Sequence, residues 1–144
     1  MGIIRAVCIS EQKGIPKHPV DRAELCAGLG IRGDAHAEGG IRQVSLLAAE
    51  SVRALQERTS VALSAGIFAE NILTEGICLT KLAVGDRLRI GAAEGVVSQI
   101  GKQCHKSCTI RERTGDCVMP KEGVFVRVTK SGAAEAGDEI IRIE

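Results

Sequence analysis

Ala83-Val84-Gly85-Asp86-Arg87-Leu88-Arg89-Ile90 and its echo, Glu135-Ala136-Gly137-Asp138-Glu139-Ile140-Ile141-Arg142, decide how this chain folds. In each, Gly-Asp supplies a tight turn, because glycine enters left-handed backbone freely and aspartate hydrogen-bonds the backbone of its own turn. An alternating or apolar run follows each turn, as a half-buried strand requires. Residues 95–100 and 123–129 read as further strands, and residues 2–9, short and β-branched, as another. These units point to a mostly antiparallel, barrel-like core: mainly β with a few helices, in the α+β class. The echo is too short to make a repeat protein.

Working outward, Ser45 reads as the cap of a helix beginning near Leu47. Ala48, Val52 and Leu55 share one face at i, i+4, i+7, while Glu50, Arg53, Glu57 and Arg58 face water. Residues 11–19 hold two prolines and a glycine and read as an exposed loop in which His18 is solvated. Residues 64–72 form a short helical or irregular piece, and the apolar run 72–79 is broken at Glu75-Gly76. Residues 33–40 pack glycines around Asp34, His36 and Glu38. Such a stretch is either a polar turn closing a strand or, with Arg32, His36 and Arg42, the lining of an anion site.

At 144 residues, the chain is expected to form a single domain spanning residues 1–144. Its 44% hydrophobic and 26% charged content is that of a soluble globular protein. Aromatic residues are limited to Phe68 and Phe125, which excludes recognition of nucleic acid by base stacking. A net charge of +1 leaves no electrostatic footprint for duplex DNA. No apolar run approaches the roughly 18 residues that cross a bilayer, and the first residues lack the pattern of an export signal. A cytoplasmic location is therefore expected, with no nucleic acid or membrane as partner. In that reducing compartment the six cysteines are thiols, metal ligands or catalytic groups.

Three of those cysteines, Cys104, Cys108 and Cys117, fall close together beside His105, Lys102 and Lys106. Three readings compete. Cysteine and histidine suit a structural zinc site, although Cys104 and Cys108 are four apart and no second C-x-x-C knuckle exists. Free cysteine is also commonly a small buried hydrophobe, the role expected of Cys8 and Cys78, and of Cys26 in second place. The third reading makes Cys104 a reactive thiolate, since neighbouring positive charge favours ionisation, with Cys108 as a second, resolving thiol. His105 cannot readily turn its ring onto its own neighbour's sulfur, so a Cys–His hydrolase is disfavoured.

Several stretches occur in an order that resembles the MOSC domain. They are Gly30-Ile31-Arg32-Gly33-Asp34-Ala35-His36, Arg42-Gln43-Val44-Ser45-Leu46-Leu47 with Glu50, Glu70-Asn71-Ile72, Leu82-Ala83-Val84-Gly85-Asp86, and Gln99 to Cys104. That domain is the C-terminal part of molybdenum cofactor sulfurases and also exists as stand-alone bacterial proteins. The stretch Gly115-Asp116-Cys117-Val118-Met119-Pro120 resembles the small members linked to molybdopterin biosynthesis.

The resemblance implies a MOSC-type β-barrel that binds the molybdenum cofactor (molybdopterin) and carries or transfers sulfur as a cysteine persulfide. Alternatives are a binding and delivery module without covalent chemistry, or a domain with a zinc knot. Carried across by position, the sulfur carrier is Cys104, with Cys108 beside it. Arg32, Asp34, His36, Arg42, Glu70, Asn71 and Arg127 match pocket positions, and Lys102 and Lys121 add charge suited to an anionic cofactor. The family often has Gln-Pro-Arg-x-Pro-Cys before the thiol. Ile100, Gly101 and Gln103 replace its prolines and arginine here, and Ala35 stands where an arginine is common. Lysine at 102 restores a positive charge without arginine's planar fork. The pyridoxal-phosphate desulfurase domain of the sulfurases has no counterpart in 144 residues. The expected partners are accordingly a separate cysteine desulfurase as sulfur donor and a molybdoenzyme or cofactor-biosynthesis protein as recipient.

Overall fold

The computed structural model describes residues 2–101 and 122–144. Among these lie strands β1 (Gly2–Ile9), β2 (His18–Val20), β3 (Ala23–Cys26), β4 (Gly30–Ile31), β5 (Val44–Ala48) and β6 (Ile72–Glu75). After them come β7 (Arg87–Ile90), β8 (Ala93–Ile100), β9 (Val124–Lys130), β10 (Gly132–Ala134) and β11 (Glu139–Ile143). Helix α1 (Ala49–Gln56) lies between β5 and β6, and Leu79–Lys81 make one 3-10 turn.

The two Gly-Asp turns fold alike. The Asp86 and Asp138 amides donate to the carbonyls of Ala83 and Glu135, at 3.0 and 3.1 Å. In return, Oδ2 of each aspartate accepts the amide of the residue three before it, at 2.9 and 3.0 Å. Gly85 and Gly137 occupy left-handed backbone at φ 98° and 96°, where a Cβ is costly. The strands that follow, β7 and β11, pair antiparallel with each other from Ile90↔Ile140 to Arg87↔Ile143.

From that pair the sheet continues in the order β11-β7-β8-β9-β5-β6-β1, and β1 returns to β11. Among the described residues, seven strands thus close into a barrel, with β2 paired to the far end of β1 and β10-β3-β4 forming a small second sheet. The pairings are antiparallel except β5–β6, which the crossover through α1 makes parallel. Closure leaves no unpaired edge around the barrel proper.

Alternation fills the interior. Ile4, Leu46, Ile72, Leu88, Val126 and Ile140 all reach zero exposure in one cluster. Each such side chain contributes roughly 1.5–3 kcal/mol of burial. A second cluster sits outside the barrel wall, where Val52 and Leu55 of α1 meet Leu47, Ile67, Phe68 and Phe125.

Three expectations are corrected. Ser45 does not cap the helix: it lies within β5 opposite Phe125, and α1 starts after Ala48 with no side-chain cap. Its apolar neighbours extend the strand because barrel pairing with β9 and β6 outweighs local helix propensity. His18, though exposed as expected, belongs with Pro19 to strand β2 rather than to the loop. Cys78 is exposed rather than buried, next to the 3-10 turn, whereas Cys8 is buried and Cys26 half-buried.

Candidate functional site

Residues 102–121 carry Cys104, Cys108, Lys102 and Lys121, together with the zinc alternative's His105 and Cys117, and lie outside the described residues. The strands on either side fix where that segment attaches. The described residues that flank it meet at the barrel rim, where the Gly101 amide donates to the Gly123 carbonyl at 2.7 Å. Gln99 Nε2 donates to the Gly101 carbonyl at 2.8 Å, and Gln99 Oε1 accepts from Arg42 Nε at 3.2 Å. The Arg42 guanidinium also stands 5.7 Å from the centre of the Phe125 ring, a cation–π arrangement. Arg42 is therefore tied to the root of the cysteine-bearing segment although 57 residues separate it from Gln99.

A second group gathers beyond the end of β1. Lys17 and Asp34 have side chains with no exposure, and Lys17 Nζ donates to Asp34 Oδ1 at 2.7 Å. The same ammonium donates to Ser10 Oγ at 3.0 Å and lies 3.3 Å from His36 Nδ1. Asp34 Oδ1 also accepts the Ser10 amide at 3.0 Å, and Oδ2 accepts the His36 amide at 3.1 Å. Burial alone would raise the Asp34 carboxyl, but the hydrogen bonds its oxygens accept and the Lys17 ammonium beside it outweigh burial and hold the group well below the usual carboxylate range. Asp34 is thus an ionised hub that organises the glycine-rich turn.

Glu70 and Asn71 act within the fold around these groups. The Glu70 carboxylate accepts the Gly66 and Phe68 amides at 2.7 and 3.1 Å, and burial pushes its pKa up. Gly66 in turn accepts the Lys17 amide on its carbonyl at 2.7 Å, so Glu70 braces the backbone that positions Lys17. Asn71 joins two strands: its Nδ2 donates to the Cys8 carbonyl at 3.0 Å, and its Oδ1 accepts the Ser45 amide at 2.9 Å. Both side chains are buried and spend their hydrogen bonds within the protein, on backbone and, for Asn71, also on the Ser45 hydroxyl, so they position other groups.

Two clefts differ in charge. One of about 560 Å³ lies over β8 and β9, lined by backbone at Gly28, Gly40 and Gly85 and by Ser98, Gln43 and Arg127, with no carboxylate among its described lining residues. Arg42 lies between Ile41 and Gln43, which both line it. The other, about 390 Å³, is walled by Glu50 and Glu122 beside Cys78. An anion fits the first and is repelled by the second. Arg32 is exposed just before the turn centred on Asp34, and its amide donates to the Glu24 carbonyl at 2.9 Å.

Asp34 and His36 are thus brought together, Arg127 lines one cleft, Arg42 is held on Gln99 and Phe125, and Glu70 and Asn71 lie in the supporting wall. Sequence reasoning missed Lys17 and Ser10. A lysine between Pro16 and His18 has the pattern of a solvated loop, and nothing local announces a carboxylate 17 residues away.

The MOSC domain profile matches residues 33–141, most of the chain and all of the barrel from β5 to β9. The chain belongs to the MOSC family. Solved structures of other proteins share its fold. YiiM from Geobacillus stearothermophilus superposes with a TM-score of 0.78 at 22% identity, covering 100% of this chain and 76% of that one. YuaD from Bacillus subtilis gives 0.76 at 19% identity, covering 97% and 94%, and YiiM from Escherichia coli gives 0.68 at 21%, covering 99% and 70%. Comparison with curated proteins finds no match. In this MOSC domain no described helix is long and apolar enough to cross a membrane.

Proposed function

We propose that this MOSC protein binds the molybdenum cofactor as its cargo and carries sulfur to it as a persulfide on Cys104. Membership in the MOSC family supports the reading. So does Arg42, which reaches through Gln99 to Gly101, the last described residue before the Cys104 segment. Molybdopterin carries a phosphate and an anionic dithiolene. The glycine-lined cleft with Arg127 offers backbone access and charge-assisted hydrogen bonds to such a group, and Arg42 supplies a second positive charge at the root of the Cys104 segment. Arg32, Lys102 and Lys121 add positive charge in the same chain segments.

The chemistry balances with thiols alone. A desulfurase persulfide is attacked at its terminal sulfur by the Cys104 thiolate; one S–S bond forms as the other breaks, and the donor leaves as a thiolate. Attack by the Cys108 thiolate on the Cys104 sulfur then forms a disulfide. It expels hydrosulfide, which has gained two electrons and would replace an oxygen ligand of the cargo, that oxygen leaving as hydroxide. A thiol reductant resets the pair. Donor desulfurase and recipient molybdoenzyme are the partners this sequence of steps needs, in a cytoplasmic setting.

Binding molybdopterin released from a molybdoenzyme tests the reading. Arg42→Ala and Arg127→Ala are expected to weaken binding about tenfold or more, whereas Cys104→Ser binds but delivers no sulfur. Unchanged binding in both arginine variants refutes the assigned cleft. Full sulfur delivery by Cys104→Ser refutes the assignment to Cys104, whereas a wild type that binds the cofactor and delivers no sulfur leaves only the non-covalent delivery module.

A further inference from the structure

The ammonium of Lys17 has three protons and faces three acceptors: Asp34 Oδ1 at 2.7 Å, Ser10 Oγ at 3.0 Å and His36 Nδ1 at 3.3 Å. Ser10 Oγ is free to accept, because its own proton goes to the Gln12 carbonyl at 2.8 Å. Asp34 Oδ2 is 3.6 Å from His36 Nδ1, farther than Lys17 Nζ, and already accepts the His36 amide. Every donor therefore finds one acceptor if Nδ1 is bare and accepts from Lys17. A bare Nδ1 in a neutral imidazole places the proton on Nε2.

We infer that Lys17 is a positioning residue that fixes His36 as an Nε2–H donor on the open side of the glycine-rich turn. With Nδ1 turned toward the buried pair and 27% of the side chain open, the Nε2 edge is the one a ligand reaches. Such an edge gives a proton to an oxyanion or anionic sulfur and offers no lone pair to a metal ion. His36 is accordingly suited to recognising an anion. The inference rests on the molybdenum-cofactor reading for the ligand's identity only; the tautomer stands on this chain's geometry.

Long-range ¹H–¹⁵N correlation of the His36 ring reads directly which ring nitrogen carries the proton. The expected wild-type pattern has Nε2 protonated and Nδ1 bare. The rival arrangement, with Nδ1–H donated to Asp34, gives the opposite pattern and would overturn the inference. In Lys17→Met the proton is expected to move toward Nδ1, where Asp34 accepts it; a pattern unchanged from wild type also overturns it. Should the unpaired Asp34 unfold that variant, Lys17→Met/Asp34→Asn keeps the pocket neutral, and the bias toward Nε2–H is expected to disappear there too. His36→Ala is expected to weaken molybdopterin binding about tenfold. Unchanged affinity, with the tautomer as predicted, removes His36 from the ligand contact and leaves the positioning role of Lys17 intact.

Discussion

Asp34 is the residue on which the glycine-rich turn depends, and its ionisation makes the fold acid-sensitive. Its folded pKa lies below the ordinary 3.8, so the unfolded chain binds the extra proton as pH falls. Stability from this group is fully present above that ordinary value and is lost as pH falls through it toward the folded value. Asp34→Asn is expected to lower stability near neutral pH and to flatten the acid limb of urea midpoints recorded between about pH 6 and 3. An acid limb as steep as wild type would show that another carboxylate is responsible. The cysteines give a second residue-scale outcome. Burial first, then the charge of Glu70, pushes the Cys8 thiol up to about 12, while Cys78 is exposed. Iodoacetamide on the native protein at about pH 8 should label Cys78 and spare Cys8, read by peptide mass; equal labelling contradicts the described burial. These are the places where sequence was least informative. Lys17 and Cys78 have exposures opposite to what their immediate neighbours suggest, because tertiary partners set them.

Elements were legible where their chemistry is local. The paired Gly-Asp turns contain within four residues each hydrogen bond that shapes them, so the echo at 83–90 and 135–142 led directly to β7 and β11. Alternation identified β1 for the same reason. Ser45 was misread because Ser-Leu-Leu-Ala serves a strand and a helix start equally well, and only the register against Phe125 chooses. Residues 64–70 show the same dependence on distant partners. Gly66 sits at φ 88°, and an added Cβ would lie 2.1 Å from the Lys17 carbonyl oxygen. Gly66→Ala is expected to cost roughly 2–4 kcal/mol from left-handed backbone and displaced packing, and to displace Lys17. Denaturant unfolding checks the first effect, and a changed His36 ring spectrum the second. A loss below about 0.5 kcal/mol would mean the two segments separate without penalty.

At the scale of the molecule, the barrel holds two groups of polar side chains on a rigid wall. The Lys17–Asp34–His36 group is anchored by Glu70 and Asn71; Arg42 is tied to the rim from which residues 102–121 depart. The MOSC resemblance was visible from ordered short motifs. How its residues divide into exposed and buried groups was not, since that division depends on contacts between β1, β5 and β6. The central claim is that Cys104 carries sulfur. Intact-mass spectrometry after incubation with a cysteine desulfurase and cysteine, followed by peptide mapping, tests it most directly. The account predicts one added sulfur on Cys104 in the wild type and none in Cys104→Ser; loading that persists in Cys104→Ser, or maps to another cysteine, contradicts it.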